Sequence, residues 1–204
     1  QFITESVAQN VPSFCYSGEL PEWFFQDWFD RQCAGPEYVN CVVSERGFNN
    51  YLVDGAAMEQ IHDWYDERCY IYDNSVIDSE DGENQTILQT IDNAIRQYGC
   101  RMIMIDNLMT AISDDLKSDL YRQQSVFVRE LAKMAKQYNV IILLIVHPRK
   151  RNGYTFGNDD VAGSSNITNL ADVVLNYSLP RDDNEEKPDR VLQVTKNRLG
   201  GKVD

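Results

Sequence analysis

Val140-Ile141-Ile142-Leu143-Leu144-Ile145-Val146 is apolar at every one of its seven positions. An unbroken run of that kind suits a central strand of a parallel sheet covered by helices on both faces. Immediately upstream, Phe127, Leu131, Met134, Ala135 and Tyr138 recur at steps of three and four, which predicts an amphipathic helix from about Leu120 to Tyr138. Ile87, Leu88, Ile91, Ala94, Ile95 and Tyr98 repeat the pattern, and Gly99 stands where a helix C-cap wants glycine. Met102-Ile103-Met104-Ile105 is the next strand.

Further strands are expected at Ser13 to Tyr16, Cys69 to Tyr72, Asp172 to Tyr177 and Val191 to Thr195, with helices at Pro21 to Ala34 and Ala57 to Glu67. Pro21 suits a first helical turn. Strands that alternate with helices of ten or more residues imply right-handed crossovers and a mainly parallel twisted sheet. The expectation is therefore a single α/β domain over residues 1–204, a length that one core can serve. Ligands in such sheets gather beyond the carboxyl ends of the strands.

Apolar residues are 43% and charged residues 25%, the usage of an ordinary globular chain. No apolar run is long enough to span a bilayer, and no cleavable signal is evident. The five cysteines, Cys15, Cys33, Cys41, Cys69 and Cys100, include no CxxC pair, and His62 and His147 stand near none of them, which argues against zinc. An odd cysteine count without a secretion signal points to a reducing compartment, with the cytoplasm as the default. The net charge of −13 disfavours broad attraction to nucleic acid, so any DNA contact has to be local. Gln1 to Gln9 reads as the interior of a helix, and Lys196 to Asp204 as a strand running into a glycine turn; both ends are expected to be cuts in a longer protein.

Several residues at strand ends can carry chemistry. Tyr16-Ser17-Gly18-Glu19 puts a carboxylate at the sheet's mouth, either as an acid favouring a helix start or as a general base for water attacking a γ-phosphate. Asp106 closes an apolar strand in the manner of a Walker B acid holding Mg²⁺ through water, or simply caps the next turn. His147 follows the seven-residue apolar run, as a structural histidine or as a sensor of the γ-phosphate. Arg149, Lys150 and Arg151, with Tyr154 nearby, form a basic loop that can track a single strand or can be a solvated turn. Alternation places Lys196 and Arg198 on one side of the last strand. In a ring, Arg198 would act in trans on a neighbour's nucleotide, a role worth roughly 10³ to 10⁵ in rate. A GxxxxGK[ST] loop is missing from these 204 residues.

Taken in chain order, these parts resemble the C-terminal RecA-like domain of DnaB-like replicative helicases, including phage primase–helicases and the Twinkle group. Ser17-Gly18-Glu19 resembles the family's catalytic glutamate, Ile103 to Asp106 its Walker B strand, and Val146-His147 its phosphate sensor. Val161 to Val174, with Gly163-Ser164 and Ala171-Asp172-Val173-Val174, resembles the family's segment of a Gly-Ser pair, short helix and strand, and Lys196-Asn197-Arg198 its lysine and arginine finger. The resemblance implies a P-loop NTPase core whose Walker A segment lies upstream, using ATP or another NTP with Mg²⁺. It implies a homo-oligomeric ring, hexameric in the family, on single-stranded DNA, with Arg149, Lys150 and Arg151 gripping the backbone and a primase as a further partner. The fragment by itself is expected to be inactive. Two rivals remain open: a RecA/RadA or KaiC-like ATPase, and a nucleotide-free interaction module derived from the same fold.

Overall fold

The structure is a computed structural model, and it describes residues 1–74, 86–112, 120–147, 166–178, 190–201 and 203. The loop from Pro148 to Asp160 with Arg149, Lys150 and Arg151, the Gly163-Ser164 pair, the charged turn Arg181 to Asp189 and most of the polar loop Asp73 to Asn84 lie outside the described residues. By internal contacts the chain forms two units, one of Gln1–Ser113 with Met134–Ile145 and one of Asp114–Lys133 with Val146–Asp204.

The first unit is built on a parallel sheet. Its strands are β1 (Ser13–Ser17), β4 (Cys69–Ile71), β5 (Met102–Asp106) and β6 (Ile141–Leu144), in the order β4-β1-β5-β6. All three pairings are parallel. Successive side chains of a strand point to opposite faces. Cys15 and Met102 join Ile3, Val7, Phe29 and Tyr65 in one buried cluster, to which α1 (Phe2–Ala8), α2 (Glu22–Ala34) and α3 (Gly55–Tyr65) contribute. Phe14, Tyr16, Ile103 and Ile105, of the opposite parity, are equally buried, so both faces of the two inner strands are covered.

The run from Val140 to Val146 is shorter as a strand than expected and, among the described residues, lies at the end of the sheet rather than at its centre. Ile141 is 66% exposed. An all-apolar run reports only that a strand is apolar on both faces; it carries no information on how many strands flank it. The central positions belong to β1, buried at all five residues, and to β5.

Helix α4 (Ile87–Gln97) begins at a capping box, Thr86 Oγ1 accepting from Gln89 N and Gln89 Oε1 accepting from Thr86 N. It ends where Gly99 adopts φ +67°, as its position predicted. Tyr138 fastens the following region: its hydroxyl donates to Asp92 Oδ1 (2.5 Å) and accepts from Arg96 (2.7 Å). Helix α2 starts one residue later than expected, with Pro21 as N-cap outside the first turn. An antiparallel hairpin, β2 (Val39–Val43) and β3 (Asn49–Val53), is an element beyond those expected. Two β-rich runs around a Gly47-bearing loop are its signal in the sequence.

In the second unit, α6 (Leu120–Tyr138, whose last residues belong to the first unit) matches the predicted bounds, and α7 (Asn166–Leu170) precedes an antiparallel pair, β7 (Val173–Ser178) and β8 (Val191–Asn197). The short helix α5 (Leu108–Ala111) of the first unit follows β5 directly. Among the described residues no helix is long and apolar enough to cross a membrane.

Candidate active site

The carboxyl ends of β1 and β5 meet in register, with Ser17 opposite Asp106. Beyond that last rung, Gly18 N donates to Asp106 O at 2.7 Å, so the two strands stay joined as β1 turns toward Glu19. Asn107, the residue after Asp106, donates from Nδ2 to Glu19 Oε1 at 2.5 Å. The structure thus brings Glu19 and Asp106, two of the sequence-predicted residues, to one rim of the sheet. The peptide joining Asp106 to Asn107 is cis.

The rim is held by polar bonds that single-residue patterns do not reveal. Asn107 Oδ1 caps α5 by accepting from Met109 N (2.9 Å) and Thr110 N (3.3 Å), and Thr110 Oγ1 bonds back to the Asn107 backbone. Tyr16 OH donates to Thr110 O at 2.8 Å, and burial raises that phenol's pKa. Asn74 Nδ2 donates to Ser17 O and Leu20 O, pinning the exit of β1. Gly18 packs so closely that a Cβ there would overlap Thr110 Oγ1. Asn107 and Thr110 fall just past the Asp that ends the apolar strand β5; an Asn followed three residues later by Thr, at a helix start, is the available signal.

Carboxylate and hydroxyl oxygens of Asp106, Glu19 and Ser17 are the hard donors that Mg²⁺ takes. Among the described residues no group of three or more His, Cys, Asp or Glu could hold a metal ion. A separate cleft of about 390 Å³, lined by Cys33, Tyr38, Asp54, Gln60, Ile61 and Trp64, includes none of these rim residues.

His147 is exposed, three residues past the end of β6. In the second unit Lys196, within β8, and Arg198, in the turn just past it, reach the same backbone carbonyl. Lys196 Nζ donates to Thr168 O (2.5 Å) and Asn169 O (3.2 Å), and Arg198 donates to Asn169 O (2.7 Å). Both cations thus lie against the carbonyl end of α7, where a helix favours positive charge. Desolvation, and then the neighbouring Arg198 charge, lower the Lys196 pKa.

Comparison with known proteins places this architecture. A family model described as "AAA domain" matches residues 22–153, and the chain belongs to that family. Its RecA-like α/β fold is shared with a DnaB-like replicative helicase whose structure was described together with its interactions with primase (TM-score 0.68, 16% identity over 99% of this chain and 49% of that one). It is shared equally with a second solved structure, that of an ATPase domain (TM-score 0.66, 15% identity over 99% of this chain and 72% of that one). The chain spans about half the length of the DnaB-like helicase that it matches.

Proposed function

We propose that this chain is part of the NTP-hydrolysing motor of a DnaB-like replicative helicase. The carrying observation is the meeting of Glu19 and Asp106 at one sheet edge, made by the Ser17–Asp106 register and the Asn107–Glu19 bond. Family membership and the helicase-type ATPase fold support it.

In this proposal Glu19 takes the proton of the attacking water and Asp106 orients the hydrated Mg²⁺. Bound Mg²⁺ would supply neutralisation of charge on the phosphoryl oxygens. His147 would hydrogen-bond the γ-phosphate, and Lys196 with Arg198 would serve the site of a neighbouring protomer in a homo-oligomeric, hexameric ring. Arg149, Lys150 and Arg151 would hold single-stranded DNA, a local contact compatible with a chain of net charge −13. The glycine-lysine cradle for the triphosphate is not within these 204 residues and would come from outside them. A primase is the further partner proposed.

The test is ATP-dependent unwinding of a forked duplex by the full-length protein that carries this chain. Unwinding without any requirement for sequence homology is expected. Strand exchange between homologous DNAs without unwinding would assign it to recombinase-type ATPases, and the absence of nucleotide binding would leave only an interaction module.

A further inference from the structure

We infer that Asn107 is a positioning residue for Glu19, a role that rests on Glu19 being the base of the reaction proposed above. The Asn107 side chain is almost wholly enclosed, at 1% exposure, and the two ends of its carboxamide have different duties. Its oxygen accepts from Met109 N and Thr110 N. With that end committed, the amide plane has one orientation, and the nitrogen, which can only donate, is directed at Glu19 Oε1.

The frame behind the amide is fixed as well. Thr110 Oγ1 accepts from Asn107 N (3.1 Å) and donates to Asn107 O (3.0 Å). Thr110 O in turn accepts from Tyr16 OH, a side chain of the strand from which Glu19 emerges. The donor and the carboxylate that it meets are therefore referenced to the same strand, although they stand 88 positions apart in the chain. A general base contributes only while its carboxylate is held within reach of the proton and in the right direction. A charge-assisted bond to one oxygen of a flexible glutamate sets where the other points. Asn107 thus converts a helix cap, an ordinary structural device, into the aiming element of the base.

Two substitutions separate aiming from capping. Asn107→Asp and Asn107→Ser both keep a good N-cap acceptor. The first has no N–H to give and sets a like charge beside Glu19; the second is too short to reach it. In the full-length protein, with ATP and Mg²⁺, each variant should lower kcat about ten- to a hundredfold, within the span attributed to general-base catalysis. KM for ATP should stay near wild type in both, and so should the melting temperature of Asn107→Ser, which adds no charge to the enclosed position. On a Glu19→Gln background, already slow, neither should lower kcat further, because the bond acts through the base. Wild-type kcat in both Asn107 variants alongside a dead Glu19→Gln overturns the positioning role and leaves the proposed function standing. A fall in turnover matched by loss of ATP binding and of melting temperature also overturns it, making Asn107 a cap alone. Normal turnover by Glu19→Gln removes both the base assignment and this inference.

Discussion

Gly18 and Thr110 are so close that a methyl group on Gly18 would overlap both Oγ1 and Cβ of the threonine. This contact locks the turn carrying Glu19 onto the start of α5. Gly18→Ala should therefore destabilise the protein by about 1–3 kcal/mol, the cost of overpacking, and reduce turnover by displacing Glu19. Gly55, which opens α3 with nothing within 4 Å of its virtual Cβ, is the control. Gly55→Ala should stabilise by about 0.4–1 kcal/mol through the unfolded chain. Denaturant titration of the two variants, read for opposite signs, checks the contrast.

How much of this is legible in the sequence differs by element. Helix α6 is legible to both its ends because a long amphipathic repeat is a strong periodic signal. Asp106 and Glu19 stand out one at a time by the strands they terminate, but their meeting depends on the β1–β5 register, a non-local pairing that no window of sequence contains. Asn107 does not stand out, because an Asn at a helix start reads as an ordinary cap; its bond to Glu19 becomes visible only when Glu19 arrives from another strand. Both strands of the hairpin β2–β3 are exposed at nearly every position, so they lack the apolar–polar alternation by which a half-buried strand is read. Hydrophobicity reports covered faces and not neighbours, so the place of β6 at the end of the sheet, among the described residues, is not legible from its seven apolar residues.

Arg198 interacts with Asp172 at 3.7 Å while both side chains are about half exposed, so the pair adds little to stability. Arg198→Ala should consequently leave the melting temperature nearly unchanged. If the full-length protein works as the ring proposed above, the same change should abolish ATPase activity, a loss of roughly 10³-fold or more, while nucleotide binding persists. Steady-state turnover measured beside equilibrium binding of a labelled nucleotide decides it, and normal turnover refutes the finger role.

The capping box at the head of α4 gives a test of stability apart from chemistry. Thr86 accepts from Gln89 N at 3.3 Å while Gln89 Oε1 accepts from Thr86 N at 2.8 Å. Thr86→Ala removes one half of this exchange and should cost about 1 kcal/mol. Urea titration should show the loss with ATPase turnover unaltered.

Burial pushes the Cys33 thiol up to about 11 and the Cys100 thiol up to about 12, from an ordinary value of 9. Both groups are acids whose folded pKa is raised, so the folded state holds protons that the unfolded chain has released above pH 9. Their contribution is complete below pH 9 and is lost as the pH climbs through 9 toward 11 and 12. Equilibrium unfolding across that window should show falling stability, and replacing Cys100 by Ala should flatten the decline. Below it, exposed Cys41 should react with a thiol reagent well before enclosed Cys15 and Cys100.

The most direct test is a structure of the full-length protein with Mg²⁺ and a non-hydrolysable ATP analogue. The γ-phosphate should lie one water away from the Glu19 carboxylate, roughly 5–6 Å as two hydrogen bonds in series, with Asp106 facing the metal's hydration shell. A triphosphate bound with Glu19 more than two such spans away, or with Asp106 on the far side of the sheet from the ion, would contradict the account.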